Sequence, residues 1–175
     1  MSIKLYLAGP IEVWKEKFKD DYSEILNNEI DLFEPGRITP ELSHDLIPIE
    51  IAEKCREAID CSDAILAYIS PYSPSDKAGD IPGADSSWEL GYAAAEGKSI
   101  IVLIDDLEVL DFWAKMWMVS LEVDAILTHN KEVKDKVGGI EHLKEAEILY
   151  CESAEDFEEE IINFLGSREK SEVEE

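Results

Sequence analysis

The sequence predicts a doubly wound parallel α/β domain, and three observations carry that expectation. Short apolar runs alternate with stretches of helical period along most of the chain. The runs at Lys4–Ala8, Ala64–Ile69 and Ser99–Ile104 are continuous rather than alternating in polarity, as strands buried on both faces are. The first two of them stop at Gly9-Pro10 and at Ser70-Pro71, where proline cannot extend a ladder. Loops are therefore expected at the carboxyl ends of the strands, where ligands bind in open α/β sheets.

Taken in order, Lys4–Ala8 is the first strand. Trp14, Phe18, Tyr22, Ile25 and Leu26 then recur every three to four residues, which predicts an amphipathic helix from about Ile11 to Asn28 with its aromatics in the core. Ile30–Phe33 is a second strand, and Glu34–Pro40 is a turn-rich loop. Ile49, Ala52, Cys55 and Ile59 share one face of a helix that opens at Pro48, a residue suited to the first turn. Ala64–Ile69 is the third strand, followed by a long polar loop from Ser70 to Ala84 of the kind that often serves as a lid or binding loop. Ser99–Ile104 is the fourth. Leu107–Leu121 carries Leu110, Phe112, Trp113, Met116, Trp117 and Met118, too apolar for a solvated helix, so core or a contact between subunits is expected there. Ala125–Leu127 closes the sheet as a fifth strand, with Ile148–Tyr150 as a short terminal one, and Ala154–Leu165 is the last helix. The expected layout is a single domain over residues 1–166 and an acidic, frayed tail over residues 167–175.

Composition narrows the partners. With 41 Asp and Glu against 16 Lys and Arg, the formal charge is -25. Clustered cations are what nucleic acid and anionic membranes require, so neither partner is expected, and a neutral small molecule is favoured. Cys55, Cys61 and Cys151 are odd in number and lack CxxC spacing, no apolar run reaches the ~20 residues of a membrane span, and no secretory leader opens the sequence. A reducing, cytoplasmic setting is expected. The histidines are scattered, so no metal site is expected, and the absence of GxGxxG and GxxxxGK[ST] removes support for dinucleotide and P-loop cofactors.

The stretch Ser86–Lys98 is where the chemistry is expected. Asp85, Ser86 and Ser87 offer capping oxygens, Leu90, Ala93 and Ala94 offer a small face for packing on a sheet, and Gly97 offers a stop. Glu89 is thereby expected in the first turn of a short helix that faces the crevice. A carboxylate there serves as a nucleophile, and it serves equally to stabilise the helix.

Three segments, Tyr6-Leu7-Ala8-Gly9-Pro10, Asp60-Cys61-Ser62-Asp63-Ala64-Ile65-Leu66-Ala67 before Ser70-Pro71-Tyr72, and Trp88-Glu89-Leu90-Gly91-Tyr92-Ala93, resemble the nucleoside 2-deoxyribosyltransferase family in order and spacing. The similarity runs from about Lys4 to Ile104. The resemblance implies a flavodoxin-like sheet of about five parallel strands with helices on both faces, and a homo-oligomer with active sites shared between subunits. It also implies exchange of the base of a 2-deoxynucleoside, with that nucleoside and a free nucleobase as partners and no cofactor. Glu89 matches the nucleophilic glutamate and Tyr6 the tyrosine that orients it. Such chemistry needs a carboxylate below the sugar and a proton donor at the leaving base. Asp85 is the candidate donor, while Gly9, Pro10, Ser86, Ser87, Met116 and Trp117 are candidates to line the substrate pocket.

The chain also departs from the family pattern. The usual Asp-x-Gly-Thr run reads Gly83-Ala84-Asp85-Ser86-Ser87. An acidic or amide position in the helix before the third strand is Cys55, which core packing explains equally well, and the place of an Asn before a Met is Ala114-Lys115-Met116. Close relatives in this family hydrolyse the glycosidic bond of nucleoside 5'-monophosphates. The hydrolases of this type place Ser and Arg after the first strand, where Pro10, Ile11 and Glu12 stand here, so transfer is the favoured expectation over hydrolysis and over non-catalytic nucleoside binding.

Overall fold

A computed structural model describes residues 2–9, 26, 29–33, 48–69, 84–115 and 122–172. Six strands form one sheet: β1 (Ile3–Ala8), β2 (Ile30–Phe33), β3 (Ala64–Tyr68), β4 (Ser99–Leu103), β5 (Ala125–Thr128) and β6 (Glu147–Tyr150). Their order is β2-β1-β3-β4-β5-β6 and every adjacent pair is parallel. The sixth strand is the short terminal one expected at Ile148–Tyr150, and it pairs along its whole length with β5. The chain reverses its direction of winding between β1 and β3. That switch opens a crevice at the carboxyl edge of those two strands.

Five helices are described: α1 (Pro48–Asp60), α2 (Ala84–Ala95), α3 (Leu107–Trp113), α4 (Lys131–Val137) and α5 (Phe157–Glu172). Alternate strand residues point to opposite faces, and each face has its own core. On one face Tyr6, Ile65, Ile100, Val102 and Ile126 pack with Cys55 and Ile59 of α1, Leu90 and Ala93 of α2, Leu110 and Trp113 of α3, and Val133 and Val137 of α4. On the other face Leu5, Leu66, Ile101, Leu103 and Leu127 pack with Leu26 and with Phe157, Ile161 and Phe164 of α5. Helices thus cover both faces, which is why β3 and β5 are buried at every position. No helix among the described residues is long and apolar enough to cross a membrane.

Two boundaries differ from expectation. Helix α2 begins at Ala84, so Asp85, Ser86 and Ser87 lie inside it rather than ahead of it, and Glu89 stands in its second turn. The dipole at a helix start fades within one turn and holds Glu89 less than a first-turn position would. Helix α5 runs past Leu165 to Glu172, so the described part of the expected tail is helical. The reason is tertiary: Arg168 pairs with Asp124 at 2.5 Å and lies over the Phe164 ring, holding a turn whose sequence has no apolar period. The far end of α2 follows expectation. Gly97 adopts φ +69° while its N–H donates to Ala94 and that of Lys98 to Ala93, the paired bonds of a Schellman stop.

The expected helix from Ile11 to Asn28, apart from Leu26, lies outside the described residues, as do the loops at residues 34–40 and 70–83 and the segment 116–121.

Candidate active site

The register of the sheet determines what reaches the switch point. Tyr6 lies in β1 opposite Ile65 of β3, with its side chain directed to the face that α2 covers. Glu89 descends from α2 onto the same place, and the Tyr6 hydroxyl donates to Glu89 Oε1 at 2.6 Å across 83 residues of sequence. Both are buried, Tyr6 fully and Glu89 at 7% exposure. A carboxylate so removed from water needs strong donors, and a short phenolic hydrogen bond is one. Burial, then the charge of Glu89, pushes the Tyr6 phenol far above its ordinary 10.0. The phenol therefore keeps its proton throughout the neutral range and remains a donor to Glu89.

Cys55 joins them from α1. It is 7% exposed and belongs to the same core as Tyr6, and its nearness adds to the upward push on the phenol. Packing explained this cysteine equally well in the sequence. What sets it apart is its nearness to Tyr6, which only the packing of α1 on β1 creates.

The other candidates are placed as follows. Ser86 is buried in the first turn of α2, one turn before Glu89, and Ser87 beside it is half-buried. Asp85 stands four positions before Glu89 on α2, but its side chain lies outside the described residues. Gly9 follows β1 directly, half-buried at the carboxyl edge. Pro10, Met116 and Trp117 lie outside the described residues.

The loop after β4 reaches the same edge but is committed to structure. Asp106 Oδ1 accepts from the N–H groups of Glu108 and Val109 and so caps α3. Asp105 Oδ1 accepts from Thr128 Oγ1 and the His129 N–H, and His129 Nδ1 lies 2.9 Å from it. The sequence showed two acids here without showing His129, because the partners come from the next strand. Trp88, by contrast, turns outward on α2: it is 39% exposed, stacks on Tyr92 at 5.6 Å and lies under the Arg56 guanidinium. Among the described residues no group of three or more His, Cys, Asp or Glu is arranged to hold a metal ion.

A 2-desoxiribosyltransferase from Leishmania mexicana shares 23% identity with TM-score 0.43, over 59% of this chain and 65% of its own, so the chain spans less than two thirds of that enzyme. A conserved protein from Enterococcus faecalis V583 shares 20% identity with TM-score 0.52 over 93% of this chain and 99% of its own. The 2-deoxyribosyltransferase of Bacillus psychrosaccharolyticus shares 19% identity with TM-score 0.51 over 85% and 99%. At such identities the Enterococcus and Bacillus likenesses speak for the fold alone, a parallel α/β sheet flanked by helices. A search of curated proteins returned no match. The sequence itself matches the family described as nucleoside 2-deoxyribosyltransferase over residues 5–156, a span that contains Tyr6, Cys55 and Glu89. The chain belongs to the nucleoside 2-deoxyribosyltransferase family.

Proposed function

We propose that this protein is a nucleoside 2-deoxyribosyltransferase that works through Glu89, and the buried 2.6 Å pair of Tyr6 and Glu89 at the switch point is the observation that supports the reading most. Cleaving an N-glycosidic bond passes through an oxocarbenium-like state, which a carboxylate below the ring stabilises and then captures. In the first half-reaction the bond from C1' to the base nitrogen breaks and a bond from C1' to a Glu89 carboxylate oxygen forms. The departing base takes up a proton, for which Asp85 is the proposed donor. In the second half, a nitrogen of an incoming base attacks C1', the sugar–carboxylate bond breaks, and that base gives up its proton to Asp85, restoring the acid. Two inversions return the original configuration at C1'.

Tyr6 acts on the nucleophile. Its phenol fixes the carboxylate plane, sparing the rearrangement that a freely rotating side chain undergoes before attack. Burial adds to this, since charges interact more strongly where water is excluded. Gly9 and Pro10 at the end of β1, Ser86 and Ser87 on α2, and Met116 and Trp117 after α3 are the proposed pocket lining, shared between subunits of a homo-oligomer. The net charge of -25 favours a nucleoside over its monophosphate.

Incubation with deoxyinosine, with and without adenine, tests the proposal when products are followed by chromatography. Deoxyadenosine formed only when adenine is present is the expected result. Hypoxanthine released without an acceptor base assigns hydrolysis, in which water takes the sugar from the same intermediate. No turnover in either mixture, nor with other 2-deoxynucleosides, would refute catalysis and leave a binding protein.

A further inference from the structure

The solvent-facing side of α2 is tied to α1 by a ladder of four side chains. The Arg56 guanidinium carbon lies 5.4 Å from the centroid of the Trp88 ring, Trp88 stacks on Tyr92 at 5.6 Å and 12°, and the Tyr92 hydroxyl donates to Asp60 Oδ1 at 3.0 Å. Each helix contributes two residues one turn apart, Arg56 and Asp60 from α1 and Trp88 and Tyr92 from α2, so the ladder spans a full turn of both. Trp88 and Tyr92 bracket Glu89 along the chain, while Glu89 itself points inward to the Tyr6 phenol.

The inner face offers little else to fix the rotation of α2 about its own axis. Among its described residues Leu90 is the only large apolar side chain buried in the core, with Ser86 and Ala93 small beside it. Small residues let a helix approach a sheet closely, but they do not interlock with it as larger side chains do. A roll of about 10° carries a carboxylate ~6 Å from the helix axis through about 1 Å. A misplacement of that size costs on the order of a hundredfold in rate.

We propose that Arg56, Trp88, Tyr92 and Asp60 are positioning residues that clamp the roll of α2 from outside, so that Glu89 meets the Tyr6 phenol at hydrogen-bonding distance. None of the four touches substrate in this scheme. As surface contacts they add little to global stability, and their effect is on geometry rather than on folding. The kinetic consequence rests on the reading of Glu89 as nucleophile; the effect on the bond between Tyr6 and Glu89 does not.

The test compares Trp88→Ala, Trp88→Phe and Tyr92→Phe in the full chain. The Tyr6 hydroxyl proton is followed by NMR, assigned through its disappearance in Tyr6→Phe. In Trp88→Ala the resonance moves upfield as the bond to Glu89 lengthens. Tyr92→Phe, which removes only the link to Asp60 and keeps the ring should the alanine variant fold poorly, moves it the same way by less. Trp88→Phe, which keeps a ring between Arg56 and Tyr92, returns it toward its original position. With a turned-over substrate, kcat falls by roughly tenfold in Trp88→Ala and by about threefold in Tyr92→Phe, and phenylalanine at position 88 recovers most of the loss. Trp88→Ala combined with Tyr6→Phe loses less than the product of the two single losses, because without the phenol there is no bond for the clamp to align. An unmoved resonance in both Trp88→Ala and Tyr92→Phe overturns the proposal, whatever happens to thermal stability, and losses that simply multiply overturn its kinetic part. If not even the parent chain turns over a nucleoside, the functional reading fails, whereas the resonance still decides whether the ladder positions Glu89.

Discussion

The two edges of the sheet use the same side chain for different ends. At the amino edge, carboxylates bind backbone. Asp63 accepts from the Lys4 N–H at 2.8 Å while its own N–H donates to the Lys4 carbonyl, and Asp124 repeats the arrangement with Ile100 two strands away. Glu158 reaches from α5 to accept from the N–H groups of Glu29 and Ile30 at 2.6 and 3.1 Å, at the start of β2. At the carboxyl edge Glu89 instead accepts from a side chain, the Tyr6 phenol. Glu158 and Glu89 are almost equally buried, at 9% and 7%, so burial does not separate them. The donor does. A backbone amide ties its acceptor to the integrity of a strand, whereas a phenol orients a carboxylate without being part of any ladder. A buried acid marks a reacting group here only through the kind of donor it has and the edge at which it stands.

Substitutions that remove one edge's carboxylate without the other sharpen this contrast. The largest effect is expected for Glu89→Gln, which keeps the volume but removes the charge: kcat/KM falls by at least about a thousandfold while the melting temperature moves by only a few degrees. Steady-state assay beside thermal unfolding checks both halves, and retained activity would erase the distinction drawn between the edges. Tyr6→Phe leaves the buried carboxylate with a donor lost, so activity is expected to fall by roughly tenfold to a hundredfold with the strand intact.

Glu158→Ala should invert the pattern. Two backbone donors lose their acceptor, and stability is expected to drop by about 2–3 kcal/mol with turnover per folded molecule unchanged. Urea unfolding monitored alongside the assay measures this; a loss of turnover at full folding would show that the amino edge is not purely structural.

A pH scan gives a smaller effect with a defined sign. Burial, then the charges of Glu160, Asp156 and Asp105, pushes the Cys151 thiol from 9.0 up to about 12. The folded chain keeps a proton that the unfolded chain releases, so this contribution is complete below pH 9.0 and is lost as pH climbs toward about 12. Tyr6 acts in the same direction, since burial and the Glu89 charge raise its phenol as well. Stability should therefore decline above pH 9 rather than hold to pH 11; a flat profile in chemical denaturation across that range contradicts the assignment.

The smallest change concerns the helix that carries Glu89. Gly91 sits on its outer face with nothing within 4 Å of an added Cβ. Gly91→Ala should raise stability by roughly 0.5–1 kcal/mol, as alanine restricts the unfolded chain and suits a helix better. Calorimetry reads the gain. A loss would mean that this open face of α2 has a function of its own.

Much of this organisation is legible along the chain, for reasons of range. Apolar runs such as Ala64–Ile69 announce a strand covered on both sides, and Ser70-Pro71 announces its end, because those preferences act between near neighbours. Gly97 as the stop of α2 follows from the same short-range chemistry. The start of α2 was not legible to the residue: Asp85, Ser86 and Ser87 carry the side chains of caps, yet tertiary packing extends the helix to Ala84 and places Ser86 in the interior. The continuation of α5 beyond Leu165 was hidden for a like reason, since Arg168 finds its partner Asp124 in another element.

Local polarity and turn chemistry thus determined that the chain alternates strand with helix, that the sheet is parallel, and that Glu89 lies on a helix after the third strand. The motifs around Tyr6 and Glu89 went further and implied that the two residues meet. The contacts themselves were left to the fold: a phenol 83 positions away donating to Glu89, a cysteine from a third element behind that phenol, and an acid of the last helix holding the second strand. Such pairs depend on strand order and register, which are decided when two buried faces close together and not by the preferences of any one segment.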